Sequence, residues 1–194
     1  MGRKSKSKAE MMLSSKSSVF STSQLSRVLG NRTAIKRAVD ADKLVALGAG
    51  YYSTPDLDPA VAQVLVVAKF YPEAVISGIS GLLIHDLSDE RLQKVTVDMP
   101  KHRPIRNAIM QVRRVTKGRF IGIEKMEYFG HSIRIYDVER VLCDAYRVDR
   151  GAIFFKALKR YLKKHRPQFE RIAKYDKALG TKVLRAVQQE LADA

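Results

Sequence analysis

The chain has 194 residues, with 36 Lys and Arg against 20 Asp and Glu, a formal net charge of +16 and a pI near 10.1. Hydrophobic residues make up 45% of it, which excludes a disordered basic tail and allows a sizeable core. The single cysteine, Cys143, excludes an internal disulfide framework, and no apolar run reaches the roughly 20 residues that span a bilayer. We expect a cytoplasmic protein with a polyanionic partner and no membrane association.

The positive charge is concentrated at the two ends of the chain. Residues 1–54 hold 10 basic and 3 acidic residues, a net charge of +7. Residues 55–146 hold 13 and 12, a net charge of +1, and residues 147–194 hold 13 and 5, a net charge of +8. The middle of the chain therefore carries basic and acidic residues in nearly equal numbers, as an ordinary globular domain does. The sequence predicts that the positive excess forms two separate basic surfaces or two lobes of one basic surface.

The first secondary-structure element that the sequence clearly predicts is a helix that begins after Ser21, its N-cap. Ser21 and Gln24 form a capping box, in which each side chain satisfies a free amide of the other's turn. Gly30 closes this helix in the left-handed conformation that glycine tolerates, and Asn31 directly caps a second helix. The sequence therefore predicts a helix, a tight turn and a second helix. Whether residues 1–18 form an arm or a further helix is left open.

The second helix has an apolar side and a basic side, and a hairpin follows it. Strands over 44–47 and 51–54 flank the turn Gly48-Ala49-Gly50. A helix-turn-helix followed at once by a hairpin is the outline of a winged helix-turn-helix, whose second helix enters the DNA major groove. The DNA-contacting residues that we predict from this outline are Arg32, Thr33, Lys36, Arg37 and Tyr52.

A solvated helix face is the alternative interpretation of Arg32, Lys36 and Arg37, because charged side chains usually lie in water. Tyr51 and Tyr52 point to opposite sides of the wing strand. We expect at least one of them to pack inward, while the other reaches the minor groove or a phosphate.

Beyond Pro55 the pattern becomes that of a mixed domain. We predict an α+β fold, with an N-terminal winged helix-turn-helix over residues 1–55 and a mixed α/β domain over 56–194 that ends in a helical segment. Its predicted helices cover 59–71, 77–85, 137–148, 151–164, 168–179 and 181–192, and its predicted strands cover 95–99, 109–115, 121–129 and 132–136. Asp137 is the expected cap of the helix that runs to residue 148.

The helix predicted over 151–164 carries a second basic stripe opposite an apolar one. The stripe consists of Lys156, Lys159, Arg160, Lys163 and Lys164. A solvated face, a phosphate contact and a membrane-surface helix are the three interpretations, and the apolar stripe favours docking on the core over the membrane. Residues 101–106 form a smaller basic patch with the same ambiguity.

Catalytic and metal-binding patterns are weak. The four histidines are isolated, with no paired-histidine or Cys–His ligand spacing, and no phosphate-binding or nucleophile motif occurs. Cys143 is expected to be a buried structural thiol. Asp137, Glu139 and Asp144 are better explained by helix capping and the helix dipole than by metal binding. We expect no enzyme activity, no cofactor and no metal.

Six ordered segments resemble the bacterial type IV antitoxin family called AbiEi. They are VFSTSQL at 19–25, GYYSTP at 50–55, YPEAVIS at 71–77, LLIHDL at 82–87, VTVDMP at 95–100 and IYDVERVLCD at 135–144. The resemblance extends over about residues 17–150. The chain departs from the family pattern at Gly81, where the family often has Ala, and at Val141, where it has Thr; both departures resemble packing changes.

The resemblance implies a bacterial transcriptional repressor of its own toxin–antitoxin operon, in a family linked to phage abortive infection. Its implied partners are an operator with inverted repeats in double-stranded DNA and, directly or indirectly, a cognate nucleotidyltransferase-like toxin. Two other hypotheses stay open. One is a metal-dependent nucleic-acid enzyme that uses Asp98, Asp137 or Asp144 and carries a winged-helix targeting domain. The other is a protein-interaction module, residues 56–194, for which DNA binding is secondary.

Overall fold

The computed structural model describes residues 11–12, 15–91, 93–100, 109–148 and 151–193. The predicted basic patch at 101–106 lies outside these ranges, as does most of the N-terminal lead-in. The fold is mixed α+β: N-terminal helices with a small antiparallel sheet, a five-stranded mixed sheet and a helical C-terminal segment. None of the helices in the described ranges is both long and apolar enough to cross a bilayer.

The N-terminal unit is a winged helix-turn-helix. Its elements are β1 (Val19–Ser21), α1 (Thr22–Leu29), α2 (Arg32–Asp40), β2 (Val45–Gly48) and β3 (Tyr51–Ser53). The predicted capping box is confirmed, since Gln24 N donates to Ser21 Oγ over 3.3 Å and Ser21 N donates to Gln24 Oε1 over 3.1 Å. Gly30 ends α1 with a φ of 92°, a value that favours glycine.

The sequence does not predict strand β1, because its three residues are too few to show the alternating hydrophobic pattern of a strand. It pairs antiparallel with β3 and completes a sheet of order β1-β3-β2. Phe20 from this strand joins Leu25, Ile35, Ala38 and Leu44 in the small core of the unit. Because β1 belongs both to the sheet and to this core, it fixes the β2–β3 hairpin against α1 and α2.

The rest of the chain forms a sheet between two helical layers. Its strands are β4 (Val75–Ile76), β5 (Val95–Pro100), β6 (Met110–Val115), β7 (Ile123–Tyr128) and β8 (His131–Tyr136), in the order β6-β5-β4-β8-β7. Its helices are α3 (Pro59–Phe70), α4 (Gly78–Ile84), α5 (Val138–Val148), α6 (Ala152–Lys164), α7 (Phe169–Leu179) and α8 (Val183–Ala192). The predicted elements are confirmed to within two residues at each end. The additional elements are β4 and a single 3-10 turn, Lys117–Arg119.

Helix α3 covers one face of the sheet and also supports the N-terminal unit. Its buried residues share one core cluster with Val19 of β1 and with Ile133 and Ile135 of β8. Lys69 near its end donates from Nζ to the Val19 carbonyl over 2.7 Å. A single apolar core therefore continues across residue 55, where we drew the domain boundary, and the boundary itself stays a prediction.

On the other face of the sheet, α4 packs against β5, α5 packs on α4, and α6 to α8 pack on α5, in a second core that includes Val75 and Tyr136 of the sheet. Alternation along β5 divides its side chains: Val95, Val97 and Met99 face α3, whereas Thr96 and Asp98 lie on the opposite face, beside Gly78 and Ser77 at the start of α4. Asp137 caps α5 as predicted, since it accepts from Arg140 N over 2.8 Å. This helix lies at the centre of the second core, with Val141, Leu142, Cys143 and Ala145 buried.

The two departures from the AbiEi pattern touch each other in this core. A Cβ on Gly81 of α4 would lie 2.8 Å from Cγ2 and 3.1 Å from Cγ1 of Val141. Val141 is fully buried and β-branched, so it has little room to move. We expect Gly81→Ala to lower the free energy of unfolding by about 1–2 kcal/mol, the cost of overpacking less the helix propensity that alanine adds.

The measurement is urea unfolding of Gly81→Ala, Val141→Ala and the double variant. Because the new methyl group fills the space that Val141 vacates, we expect the double variant to be more stable than the sum of the single effects predicts, by at least about 1 kcal/mol. Additive effects would contradict this packing.

Candidate nucleic-acid interface

Helix α2 presents a basic face and is held in place by its N-terminal cap and its buried inner side. Asn31 caps it, accepting from Ala34 N over 2.9 Å, and Ile35 and Ala38 anchor its inner side in the core. The four predicted contact residues on this helix, Arg32, Thr33, Lys36 and Arg37, are all exposed. The helix therefore holds these side chains together on its outer surface.

The electrostatics of this face suit an anion. No acidic residue lies in the first turn of α2, where the helix dipole is positive. Within the described part of the chain, Arg32, Lys36 and Arg37 form no ion pair with a carboxylate. The face can therefore meet phosphates without first breaking an internal salt bridge.

The wing beside this helix is short and held at its tip. Thr22 at the start of α1 donates to the Gly50 carbonyl from its amide over 2.8 Å and from its hydroxyl over 2.9 Å. The turn is left-handed, with φ angles of 92°, 51° and 78° at Gly48, Ala49 and Gly50. The hairpin is thus tied to the N-terminal end of α1, the helix that precedes α2.

The two wing tyrosines face opposite sides, as their alternation predicts. Tyr51 packs on Phe70, and its hydroxyl lies 2.8 Å from that of Tyr71, at the end of α3. Burial and this neighbouring phenol raise the pKa of Tyr51. Tyr52 is half-buried against the core of the helix-turn-helix. Both rings therefore have packing roles, and DNA contact by Tyr52 stays a prediction for the part of its ring that reaches the surface.

The second basic surface, defined by its five residues on α6, is partly neutralised. Lys156 Nζ lies 2.5 Å and Arg160 Nη2 2.8 Å from carboxylate oxygens of Asp89, and Lys164 pairs with Asp86. The hydrogen bonds from Lys156 and Arg160 lower the pKa of Asp89 to about 2. The other two members, Lys159 and Lys163, are exposed and form no ion pair with any described residue. Three of the five cations thus hold the segment after α4 against α6.

The acidic residues that we weighed for metal chemistry have other partners. Asp137 caps α5 and also accepts from the Tyr175 hydroxyl over 2.5 Å, while Glu139 accepts from the Tyr161 hydroxyl over 3.0 Å. Asp98 and Asp144 are fully buried, and both contact Arg113. The described residues contain no group of three or more His, Cys, Asp or Glu side chains placed to hold a metal ion.

Arg113 joins two buried carboxylates from different elements. Its Nε lies 2.6 Å from Asp98 Oδ1 on β5, and its Nη2 lies 2.6 Å from Asp144 Oδ2 on α5. The two carboxylates raise the pKa of Arg113 even though burial opposes the charge. Sequence reasoning missed this bridge, since the three residues are far apart along the chain. The Arg140–Asp144 and Arg147–Asp144 pairs, at i,i+4 and i,i+3 on α5, have a local spacing that the sequence shows.

Cys143 is buried on α5, as predicted. Burial, together with the nearby Asp176 carboxylate, raises the pKa of its thiol well above the ordinary range. We expect a thiol reagent near neutral pH to leave Cys143 of the native protein unmodified. In urea-unfolded protein, we expect one equivalent of the reagent to react. Mass spectrometry of the two samples is the measurement, and rapid labelling of the native chain would contradict this burial.

No family model and no curated protein sequence matches the chain. Its fold is similar to the crystal structure of the Rv2827c protein from Mycobacterium tuberculosis, with a TM-score of 0.57. The alignment covers 91% of this chain and 71% of that one at 12% sequence identity. At this identity the likeness concerns the fold alone.

Proposed function

We propose that the chain is a sequence-specific double-stranded DNA-binding protein that represses transcription, with α2 as its recognition helix. The observation that carries this proposal is the exposed basic face of Arg32, Lys36 and Arg37, which forms no ion pair within the described ranges, on a capped helix with a wing beside it. That arrangement suits insertion in the major groove, where arginine and lysine recognise guanine and phosphate. Arg32 and Thr33, at the helix N-terminus, contact bases or the adjacent phosphate.

One such helix makes few base contacts. We therefore expect two copies of the chain to bind an operator with inverted repeats, since two-fold operators place two recognition helices about one helical turn apart. The two half-sites together supply the affinity and the discrimination that a single unit lacks.

The test is fluorescence anisotropy with the DNA upstream of the chain's own gene and with a shuffled duplex of equal length and composition. We expect the natural sequence to bind at least about 10³-fold more tightly. Affinity for both duplexes should fall steeply between about 50 and about 200 mM salt, because Lys and Arg displace condensed counterions. Equal affinities for the two duplexes would overturn the proposed sequence specificity.

We further propose, on the AbiEi resemblance, that this repressor is the antitoxin of a type IV operon and counteracts a nucleotidyltransferase-like toxin. The core shared between β1, α3 and the five-stranded sheet makes a fragment of residues 56–194 an unsuitable probe, because truncation would expose that core. The full chain with Arg32, Lys36 and Arg37 replaced by Glu, co-expressed with the neighbouring toxin gene, separates the two activities. If this variant restores growth although it no longer represses the operon, the result supports the antitoxin role. If growth arrest continues with the variant while the wild-type chain restores growth, neutralisation of the toxin needs DNA binding.

A further inference from the structure

Three arginine side chains gather around two carboxylates where β6 meets α5, and a fourth arginine lies beside them on the 3-10 turn. Three of them surround Asp144: Arg113 Nη2 at 2.6 Å, Arg140 Nη1 at 2.6 Å and Arg147 Nη1 at 3.6 Å. The fourth, Arg119, accepts a hydrogen bond at its backbone carbonyl from Arg140 Nη2 over 3.3 Å. The 3-10 turn is thereby held against the cluster.

The charges of this cluster do not balance. Asp98 is already fully engaged, since Ser77 Oγ donates to it over 2.8 Å and the Tyr136 hydroxyl over 3.0 Å, in addition to Arg113. Asp144 is shared by three guanidinium groups. Among the described residues, three guanidinium groups therefore meet two carboxylates, and the positive charge of Arg119 acts on Arg147, so that the four arginines leave an excess of +2.

The excess lies on the solvent side of the cluster. The Arg140 side chain is 0% exposed, Arg113 is 23% and Arg147 is 31% exposed, and Arg119 is exposed. Partial burial lowers the pKa of Arg147, and so do the positive charges of Arg119, Arg113 and Arg140, against the opposing effect of Asp144. Arg147 is thus held among like charges, at a place that an external anion can reach.

We propose that Arg119 and Arg147, backed by Arg113 and Arg140, form a phosphate-binding site, which we name the arginine rim. Guanidinium groups match the geometry of phosphate oxygens and bind them through paired hydrogen bonds. A phosphate monoester carries about −1.5 to −2 charges near pH 7, which is close to the excess of +2, whereas a single carboxylate would neutralise half of it. None of these four arginines lies on α2, so the proposed phosphate site and the proposed DNA recognition can each be disproved without affecting the other.

The test is thermal unfolding in inorganic phosphate against chloride of equal ionic strength. Three forms of the full chain are compared: the wild type, the rim variant Arg119→Gln with Arg147→Gln, and the charge-matched control Lys174→Gln with Lys177→Gln on the exposed side of α7. In the wild type and the control, saturating phosphate should raise the melting temperature by about 5–10 °C. The rim variant should lose this response. In chloride it should melt no lower than wild type, because the substitutions remove like-charge repulsion.

A phosphate response of equal size in the rim variant, or no response in the wild type beyond that of chloride, would overturn the site. The source of the phosphate is then distinguished with a duplex of unrelated sequence. If the rim variant binds this duplex more weakly than the control does, the site holds two neighbouring backbone phosphates of nucleic acid, each of which carries one negative charge. If the two variants bind the duplex equally while only the rim variant has lost the phosphate response, the site holds a free phosphate-bearing molecule.

Discussion

Replacing Arg113 with Ala is expected to lower the free energy of unfolding by about 3–5 kcal/mol. The reason is that Asp98 and Asp144 are both fully buried, and the Arg113 guanidinium lies 2.6 Å from each of them. Without it, two carboxylates that come from β5 and α5 face each other with reduced compensation. Asp144 would keep its ion pair with Arg140, whereas Asp98 would stay buried without a cation, and the ionic link between the sheet and the central helix of the second core would be lost.

Urea unfolding followed by circular dichroism measures this effect. Gln111→Ala, an exposed change on the same strand, is the control and should shift stability by less than about 0.5 kcal/mol. Arg113→Met combined with Asp98→Asn should recover part of the loss, since it removes the charge of the carboxylate whose ion-pair partner among the described residues is Arg113, while Asp144 keeps its ion pair with Arg140. A loss below about 1 kcal/mol for Arg113→Ala would show that the buried carboxylates do not depend on this residue.

Charge reversal on the recognition helix is expected to have the largest effect on DNA binding. Replacing Arg32, Lys36 and Arg37 together with Glu removes three contacts, each worth about 1–3 kcal/mol, and adds repulsion from the phosphates. Because 1.4 kcal/mol corresponds to tenfold, affinity for the operator should fall by about 10³-fold or more. All three side chains are exposed, so the fold should survive the change.

The matched control reverses three lysines elsewhere. Lys174→Glu, Lys177→Glu and Lys182→Glu change the total charge equally, on exposed positions at the C-terminal end. If DNA is held by net charge alone, the two variants will lose affinity equally. Retention of affinity in the control, with loss in the recognition-helix variant, assigns recognition to α2.

The N-terminal unit could be predicted because its signals are local. The capping box of Ser21 and Gln24, the Asn31 cap and the glycine turns each lie within a few residues of the structure that they specify. Strands β1 and β4, three and two residues long, had no such signal. They exist because distant strands pair with them, as β1 does with β3.

The second basic surface shows a different limit. Its stripe of five cations on α6 follows from helical periodicity and was visible in the sequence. Its pairing with Asp86 and Asp89 was not, because these carboxylates lie in the segment after α4, 67 residues or more from their partners. The same reason hid the arginine rim, whose members come from β6, the 3-10 turn and α5. Charge counts locate an excess along the chain, but only the fold shows which charges cancel.

The claim that α2 lies in the major groove is tested most directly by affinity cleavage. Cys143 is the only cysteine and is buried, so a cysteine placed on the surface can be labelled selectively. Thr33→Cys carrying an iron–EDTA reagent should cut the operator at a few neighbouring nucleotides within each half of the inverted repeat. The same reagent on Lys177→Cys should leave those nucleotides intact. Cleavage by the residue-177 conjugate at the operator centre, with none from residue 33 in a complex that still forms, would contradict the account.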